Sequence, residues 1–364
     1  MIIADAVKHL EDFAPASTAE DFDNVGLLVG NANTALTGIL ITLDTIEEVV
    51  KEAIEKNCNL IVSFHPIIFS GLKKLTGRDY VERTVIKAIQ NNIAIYAIHT
   101  ALDNHPHGVN KMICEKLGLI KTRILIPKQN IKKLVTYIPT SAANDLRQKL
   151  FETGAGSIGN YENCSFNFEG LGSFKPGEGS NPVIGESGKL HFEKETQISV
   201  TYPQHLENQI LKSLFKHHPY DEVAYEITSL NNSNQKSGLG MLGEFEQAIS
   251  EQEFLEKIKR TFKTGCIRHS ELLGKPVKNV AVLGGSGSFA ISNAKKAGVD
   301  FFITADLKYH DFYRADQKLV LADVGHYESE QYTKNLLHSF LSKKISNFAL
   351  ILASTKTNPI KYYN

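Results

Sequence analysis

Apolar residues recur along this chain at two different spacings, and the spacings alternate. Ile2–Phe13 carries them at the helical interval, whereas Gly38–Leu43 is a short, nearly unbroken apolar run. Such a run reads as a strand buried on both faces. Asp44 and Thr45 then offer cap donors to a predicted helix over Ile46–Lys56. A strand at Leu60–Ser63, a helix at Tyr80–Gln90 and a strand at Ile93–Ile98 follow. After the polar stretch HTALDNHPHG, expected to be a loop, a helix over Val109–Leu117 stops at Gly118. The last third repeats this grammar. Strands at Val277–Leu283, Val299–Thr304, Lys318–Ala322 and Asn347–Leu352 are separated by helices at Phe289–Ala297, Tyr309–Ala315 and Tyr327–Leu341. Strands alternating with helices predict an α/β fold with a mainly parallel sheet.

The middle breaks the pattern. Lys133–Ile138, Ser165–Phe168, Lys189–Val200 and Val223–Ile227 read as strands, with helices at Ala143–Glu152 and Leu206–Phe215. In order this is β-α-β-β-α-β, a ferredoxin-like arrangement. The polar run NNSNQKSG beyond it reads as an exit linker. The expected organisation is a split α/β domain, residues 1–128 and 237–364, interrupted by an inserted α+β domain over residues 129–236.

Charge and composition narrow the function classes. The 40 Lys+Arg balance the 40 Asp+Glu, so no global field draws the chain to nucleic acid or anionic lipid. No apolar run has the length to span a bilayer. The start, MIIADAVKHLEDFAP, lacks a basic segment followed by an apolar one, so a cytoplasmic protein is expected. Cys58, Cys114, Cys164 and Cys266 form no paired motif and signal neither a zinc ribbon nor a disulfide framework.

The candidate chemistry lies just past the predicted strands, where ligands bind in open α/β sheets. His65 follows one strand, Asp103 lies beyond another, and His326 and Glu330 follow a third. His326 and Glu330 are four apart on a predicted helix and share one face, with Glu328 turned toward solvent. Each residue alone is more often an ordinary surface or loop residue than a ligand. Four donors at strand ends from both halves of the chain point instead to a metal site. Imidazole with carboxylate suits Zn²⁺, Fe²⁺ or Mn²⁺, and a carboxylate such as Asp103 can bridge two ions. His105 and His107 are rival ligands, and His99 is another or a partner that orients one.

Two further clusters point to the same edge. GGSGSFA places Gly285, Gly287 and Ala290 between a strand and a helix, a small-residue version of the dinucleotide fingerprint. It opens no N-terminal βαβ unit, and the acid near the expected spacing is Asp306. The glycines suit either backbone contact with an anion or a tight, closely packed turn. TADLKYHD gathers Asp306, Lys308, His310 and Asp311 in one turn, suggesting contacts to the substrate or to the ligands.

The motifs DNVGLLVG, SFHPIIFSGLKKL, YAIHTALDNHPHGVN, GGSGSF, TADLKYHD and DVGHYESE resemble those of the GTP cyclohydrolase 1 type 2 homologues, the NIF-three-like dinuclear-metal proteins. The resemblance covers both outer thirds. The middle is similar to the insert of the long members, which looks like the small trimers of the PII and divalent-cation-tolerance type. The resemblance implies the split α/β fold, a hexameric ring with metals facing an inner cavity, and His65, Asp103, His326 and Glu330 as ligands to one or two Zn²⁺ or Fe²⁺ ions per chain. One departure stands out: Phe64 precedes His65 where many bacterial members have a second histidine. Phe64 cannot coordinate, so one metal is expected to be weaker, more water-ligated or absent.

The family name further implies metal-activated water attacking guanine C8, with His99 or His310 moving protons. Two readings follow: a metal-dependent hydrolase of a nucleotide or similar small molecule, and a non-catalytic metal-binding ring whose insert senses or recruits partners.

Overall fold

A computed structural model describes residues 1–363 of the chain, which form two compact units. The first joins residues 1–126 to the segment from Ser237 onward, and the second is Pro127–Lys236.

In the first unit the predicted strands divide between two sheets, where their alternation with helices suggested one. One sheet has the spatial order Gly26–Val29, Ala94–Ala97, Leu60–Ser63, Gly38–Thr42, Ala349–Leu352, parallel except for its first strand. The other runs Arg268–His269, Val320–Asp323, Phe301–Ala305, Val277–Ser286, Asn234–Ile249, Ile120–Lys128. Its three middle members, from Val320–Asp323 to Val277–Ser286, are parallel. Each half of the chain lends a strand to the other's sheet: Ala349–Leu352 joins the first and Ile120–Lys128 the second. Neither half therefore completes a sheet by itself.

Side-chain alternation sorts the two faces of each sheet. Ile39, Ile41, Leu60 and Val62 point into one core together with Val280, Val282, Phe301 and Ile303 of the second sheet. The residues between them, Leu40 and Ile61, face Val49, Val50 and Val85 on the outer helices Glu47–Glu55 and Tyr80–Gln90. Ala281, Phe302 and Leu321 likewise face Ile291 and Ala294 on the outside of the second sheet. Five helices, Ile3–Phe13, His99–Asp103, Val109–Leu117, Glu251–Phe262 and Thr333–Lys344, contribute buried residues to the shared core. Phe64, Tyr96, Phe254 and Phe301 are fully buried there, each worth about 1.5–3 kcal/mol of transfer free energy. The Tyr96 hydroxyl donates to Glu11 Oε1 at 2.7 Å, which satisfies the one polar atom of that ring.

Local chemistry sets the helix ends. Asp79 caps Tyr80–Gln90 through Glu82 N at 2.9 Å, Ser250 caps Glu251–Phe262 through Glu253 N at 3.1 Å, and Gly118 ends Val109–Leu117 in the left-handed region.

Several expectations need correction. NNSNQKSG is no linker: the 16-residue strand Asn234–Ile249 begins within it, because pairing with neighbouring strands outweighs its local polarity. Asp103 ends a short helix, His99–Asp103, where a loop was expected. The helix over Tyr327–Leu341 is two, His326–Glu330 and Thr333–Lys344. At the break, the Gln331 side chain donates to the Glu328 and Phe262 carbonyls. Glu328 is buried rather than solvated, accepting from Asn358 Nδ2 at 3.1 Å.

The second unit has four strands in the order Phe166–Phe174, His191–Pro203, Ile131–Pro139, Tyr225–Leu230, each antiparallel to its neighbours. Helices Ala143–Glu152 and Glu207–His217 cover one face, packing Leu146, Leu150, Ile210 and Leu214 on Leu134, Ile138, Ile198 and Val200.

The strands through which the chain leaves and re-enters the first unit, Ile120–Lys128 and Asn234–Ile249, are neighbours in one sheet, about 4.8 Å apart. Joining Lys128 to Lys236 through a short flexible linker is expected to leave a soluble core with a single cooperative thermal transition and its metal. Aggregation or loss of metal after excision would show that the middle segment is needed for that core.

Candidate metal centre

His65 sits two residues past the strand Leu60–Ser63, and His326 opens the short helix that follows Val320–Asp323. The two strands belong to different sheets, so the ligands come from two sheet edges that face each other across the shared core. His65 Nε2 and His326 Nε2 lie 3.4 Å apart, and each is 3.1 Å from Glu330 Oε2. Four tetrahedral or six octahedral ligands at about 2.0–2.1 Å from one ion stand about 2.9–3.4 Å from each other. The triangle fits three ligands on one face of a divalent metal. Glu330 is 3% exposed, and its Oε2 accepts no hydrogen bond of good geometry despite the two nearby imidazoles. A buried carboxylate oxygen left in that condition is costly unless a cation meets it.

The opposite edges of both rings are fixed. His65 Nδ1 is 2.7 Å from Asp44 Oδ1, and Thr357 donates to Asp44 Oδ2. His326 Nδ1 is 2.7 Å from Asp306 Oδ2, which also accepts from Ser286. With Nδ1–H donated to a carboxylate, each neutral imidazole presents its Nε2 lone pair inward, the usual orientation of metal-binding histidine. Asp306 reaches His326 from a left-handed backbone, φ 57°, which aspartate tolerates better than most residues.

Asp103 lies beside this triangle and is not one of its corners. Its Oδ1 is buried without a hydrogen-bond partner, a second unpaired oxygen at the site. Burial, reinforced by the Glu330 charge, pushes the Asp103 carboxyl well above the usual range. A cation would reverse that, letting both carboxylates ionise together. His99 completes a third carboxylate–imidazole pair, Nδ1 being 2.8 Å from Asp23 Oδ1. Burial opposes ionisation of Asp23, but hydrogen bonds from His99 and Thr100 outweigh it and hold this carboxyl near 2.

His65 and His326 respond to the negative charge around them. Burial pulls both down, yet contacts with Asp44 and Glu330 lift His65 to about 10, and those with Asp306 and Glu330 lift His326 to about 11. Either two protons or a metal ion supplies the positive charge this cluster requires.

Other sequence candidates fall elsewhere. His105 packs on Phe13 with ring centroids 4.4 Å apart, and burial lowers it to about 4. His310 is exposed against Tyr309 and Tyr313 and does not line the cavity at the cluster, and Lys308 is exposed at the start of that turn. Two N–H groups of the glycine turn are already taken, Gly284 N donating to Asn110 Oδ1 and Gly285 N to Ser329 Oγ. Its glycines serve close packing: a Cβ on Gly285 would lie 2.4 Å from Glu330 Oε1. Phe64 is fully buried, its ring edge-on to His99 at 5.4 Å.

Some residues escaped the sequence reading. In the linear chain Asp44 reads only as a helix cap, and Asp23 only as part of DNVGLLVG. Their role depends on which histidine the fold brings to them. Phe22, Phe69 and Phe289 carry no sequence signal for a site. With His99, Asp103, His326 and Glu330 they line a cavity of about 450 Å³.

The model of the Duf34/NIF3 (NGG1p interacting factor 3) family matches residues 1–359. The chain belongs to that family. It is 35% identical over 362 residues to the GTP cyclohydrolase 1 type 2 homolog of Bacillus subtilis, covering 98% of this chain and 97% of that protein. The crystal structure of a Bacillus cereus protein related to NIF3 superposes with a TM-score of 0.82 at 33% identity, covering 100% of this chain and 99% of that one. A Staphylococcus aureus protein superposes with a TM-score of 0.78 at 31% identity, with the same coverage. The mixed α/β architecture is thus the fold of this family. Among the described residues no helix is long and apolar enough to cross a membrane.

Asp306→Asn should weaken metal binding about 10- to 100-fold through the ring it orients, while Glu330→Ala should abolish it without unfolding the chain. Because the metal-free imidazoles are raised above neutrality, binding at pH 7 should release protons, and affinity should rise with pH. Calorimetry in buffers of different ionisation enthalpy reads that release directly. Full metal occupancy in Glu330→Ala would remove the assignment.

Proposed function

We propose that this protein is a divalent-metal-dependent hydrolase acting on a nucleotide or a similar small molecule, with His65, His326 and Glu330 holding the first ion and Asp103 serving a second, weaker position. The observation that carries the reading is the 3.1, 3.1 and 3.4 Å triangle of ligand atoms with both imidazoles oriented from behind. Zn²⁺ and Fe²⁺ suit this donor set best, and Mn²⁺ is compatible. When bound, such an ion polarises a substrate oxygen and acidifies water.

The chain's own residues do the rest. Glu330 and the two histidines would hold the ion, and Glu330, His326 and Asp103 line the cavity. His99 lines the same cavity with Nδ1 tied to Asp23, which leaves Nε2 to take or deliver a proton. That role goes to His99 and not to His310, which is not among the residues lining the cavity. Phe22, Phe69 and Phe289 line the cavity yet are 67%, 51% and 54% exposed. Apolar rings held open beside a polar site suit a planar heteroaromatic group, since stacking on such a ring is worth about 1–3 kcal/mol per base. The name carried by the relatives points the same way.

The antiparallel strand order of residues 127–236 supports a PII-like insert, and it favours a second reading, a non-catalytic metal-binding assembly that senses or recruits partners. Metal-dependent turnover on a panel of nucleotides separates the two. The hydrolase reading expects activity that falls by about a thousandfold or more in Glu330→Ala while the assembly stays intact. Absence of metal-dependent turnover across the panel would leave the second reading.

A closed homo-oligomer, a hexamer built from two trimers, completes the proposal. Light scattering in dilute buffer should find a single species about six times the 40.4 kDa chain mass. A stable monomer would refute the ring.

A further inference from the structure

The second unit contains a cavity of about 750 Å³, within the range of small-molecule sites, and it is separate from the metal cluster. It opens on the sheet face that the two helices leave uncovered. Leu134, Ile138, Ile198 and Val200 point to the helices, so Tyr137 and Glu195, at odd positions on the same two strands, point the other way. Tyr137, Phe174 and Tyr220 supply aromatic walls, with the Phe174 and Tyr220 ring centroids 5.7 Å apart.

The Glu195 carboxylate lies among them. Tyr220 donates its hydroxyl to Glu195 Oε1 at 2.8 Å, and Oε2 receives no hydrogen bond from the described residues. The strand opposite makes room for this oxygen, because a Cβ on Gly172 would lie 2.1 Å from Glu195 Oε2. His218 holds the assembly in place: its Nε2 is 3.0 Å from the Tyr137 carbonyl, and its Nδ1 accepts from Tyr220 N. Asp221 Oδ2 accepts from Asn181 N at 3.1 Å, which ties the glycine-rich loop that lines the cavity.

The lining carries Glu178, Glu195, Asp221 and Glu222 against one basic residue, Lys175. These acids do not converge as metal ligands. Among the described residues the only close group of three or more His, Cys, Asp or Glu donors is His65, His326 and Glu330. Dispersed carboxylates with aromatic faces recognise an organic cation rather than a bare ion.

We propose that this cavity binds a small protonated amine, its ammonium group donating to Glu195 Oε2 between the Tyr137, Phe174 and Tyr220 rings. Nothing in the metal centre requires this site, and it would stand if the hydrolase reading failed.

Calorimetric titration of the full-length protein with 1,4-diaminobutane tests it. Saturable binding is expected in the roughly micromolar-to-millimolar range. Glu195→Gln, which keeps the shape and removes the charge, should weaken it about tenfold or more. Gly172→Ala keeps the charge but pushes the carboxylate aside, and should weaken it in the same direction. Far-UV circular dichroism of each variant checks that the sheet is intact, so either variant suffices if the other unfolds. Tetramethylammonium, which has no N–H donor, should bind about tenfold more weakly than the diamine. The proposal is overturned by no saturation up to about 10 mM diamine, by unchanged affinity in a folded variant, by tetramethylammonium binding equally well, or by Mg²⁺ alone displacing the diamine at equal concentration.

Discussion

Two imidazole nitrogens, on residues 261 positions apart in the chain, face each other at 3.4 Å over a buried carboxylate oxygen. With both rings neutral and no ion between them, that contact opposes two lone pairs and strands an anion in a low-dielectric interior. Positive charge at the centre turns each of those costs into attraction. The surrounding groups act on that centre. Asp44 and Asp306 turn the rings inward, Ser286 and Thr357 hold those carboxylates, and Gly285 lets a turn pass within contact of Glu330.

The split fold follows from the same constraint. His65 belongs to the first half of the chain and the pair His326 and Glu330 to the second, and the exchanged strands Ile120–Lys128 and Ala349–Leu352 stitch the halves into one core. Neither half carries all three members of the triad His65, His326 and Glu330, so the candidate site exists only when both sheets are closed on each other. A segment can be inserted where neighbouring strands carry the chain out and back without disturbing that closure. The inserted sheet in turn leaves one face free of helices, and its carboxylates and aromatic rings are arranged around a cavity rather than around an ion.

Much of this was legible in the linear chain because local forces decide it. Short unbroken apolar runs such as Gly38–Leu43 are strands whichever sheet receives them. Gly118 stops a helix through its own backbone freedom, and the i, i+4 spacing of His326 and Glu330 puts both on one helix face before any tertiary contact forms. Donors just past strand ends marked the candidate site, and the motifs marked the family, whose model matches residues 1–359.

What the chain alone left open depends on contacts between distant segments. Two sheets or one is a question of which apolar faces meet, and Leu40 and Ile41 look alike in sequence although they belong to different cores. The polar start of Asn234–Ile249 became a strand because its neighbours offered pairing, and Asp103 ended the helix His99–Asp103 where its sequence reads as a loop. Asp44 and Asp23 acquired their roles only when the fold set His65 and His99 against them. Sequence determined the elements, the donors and the family, since those follow from spacing and residue chemistry. Tertiary structure decided which donors share a point in space, because only packing brings together residues that the chain keeps hundreds of positions apart.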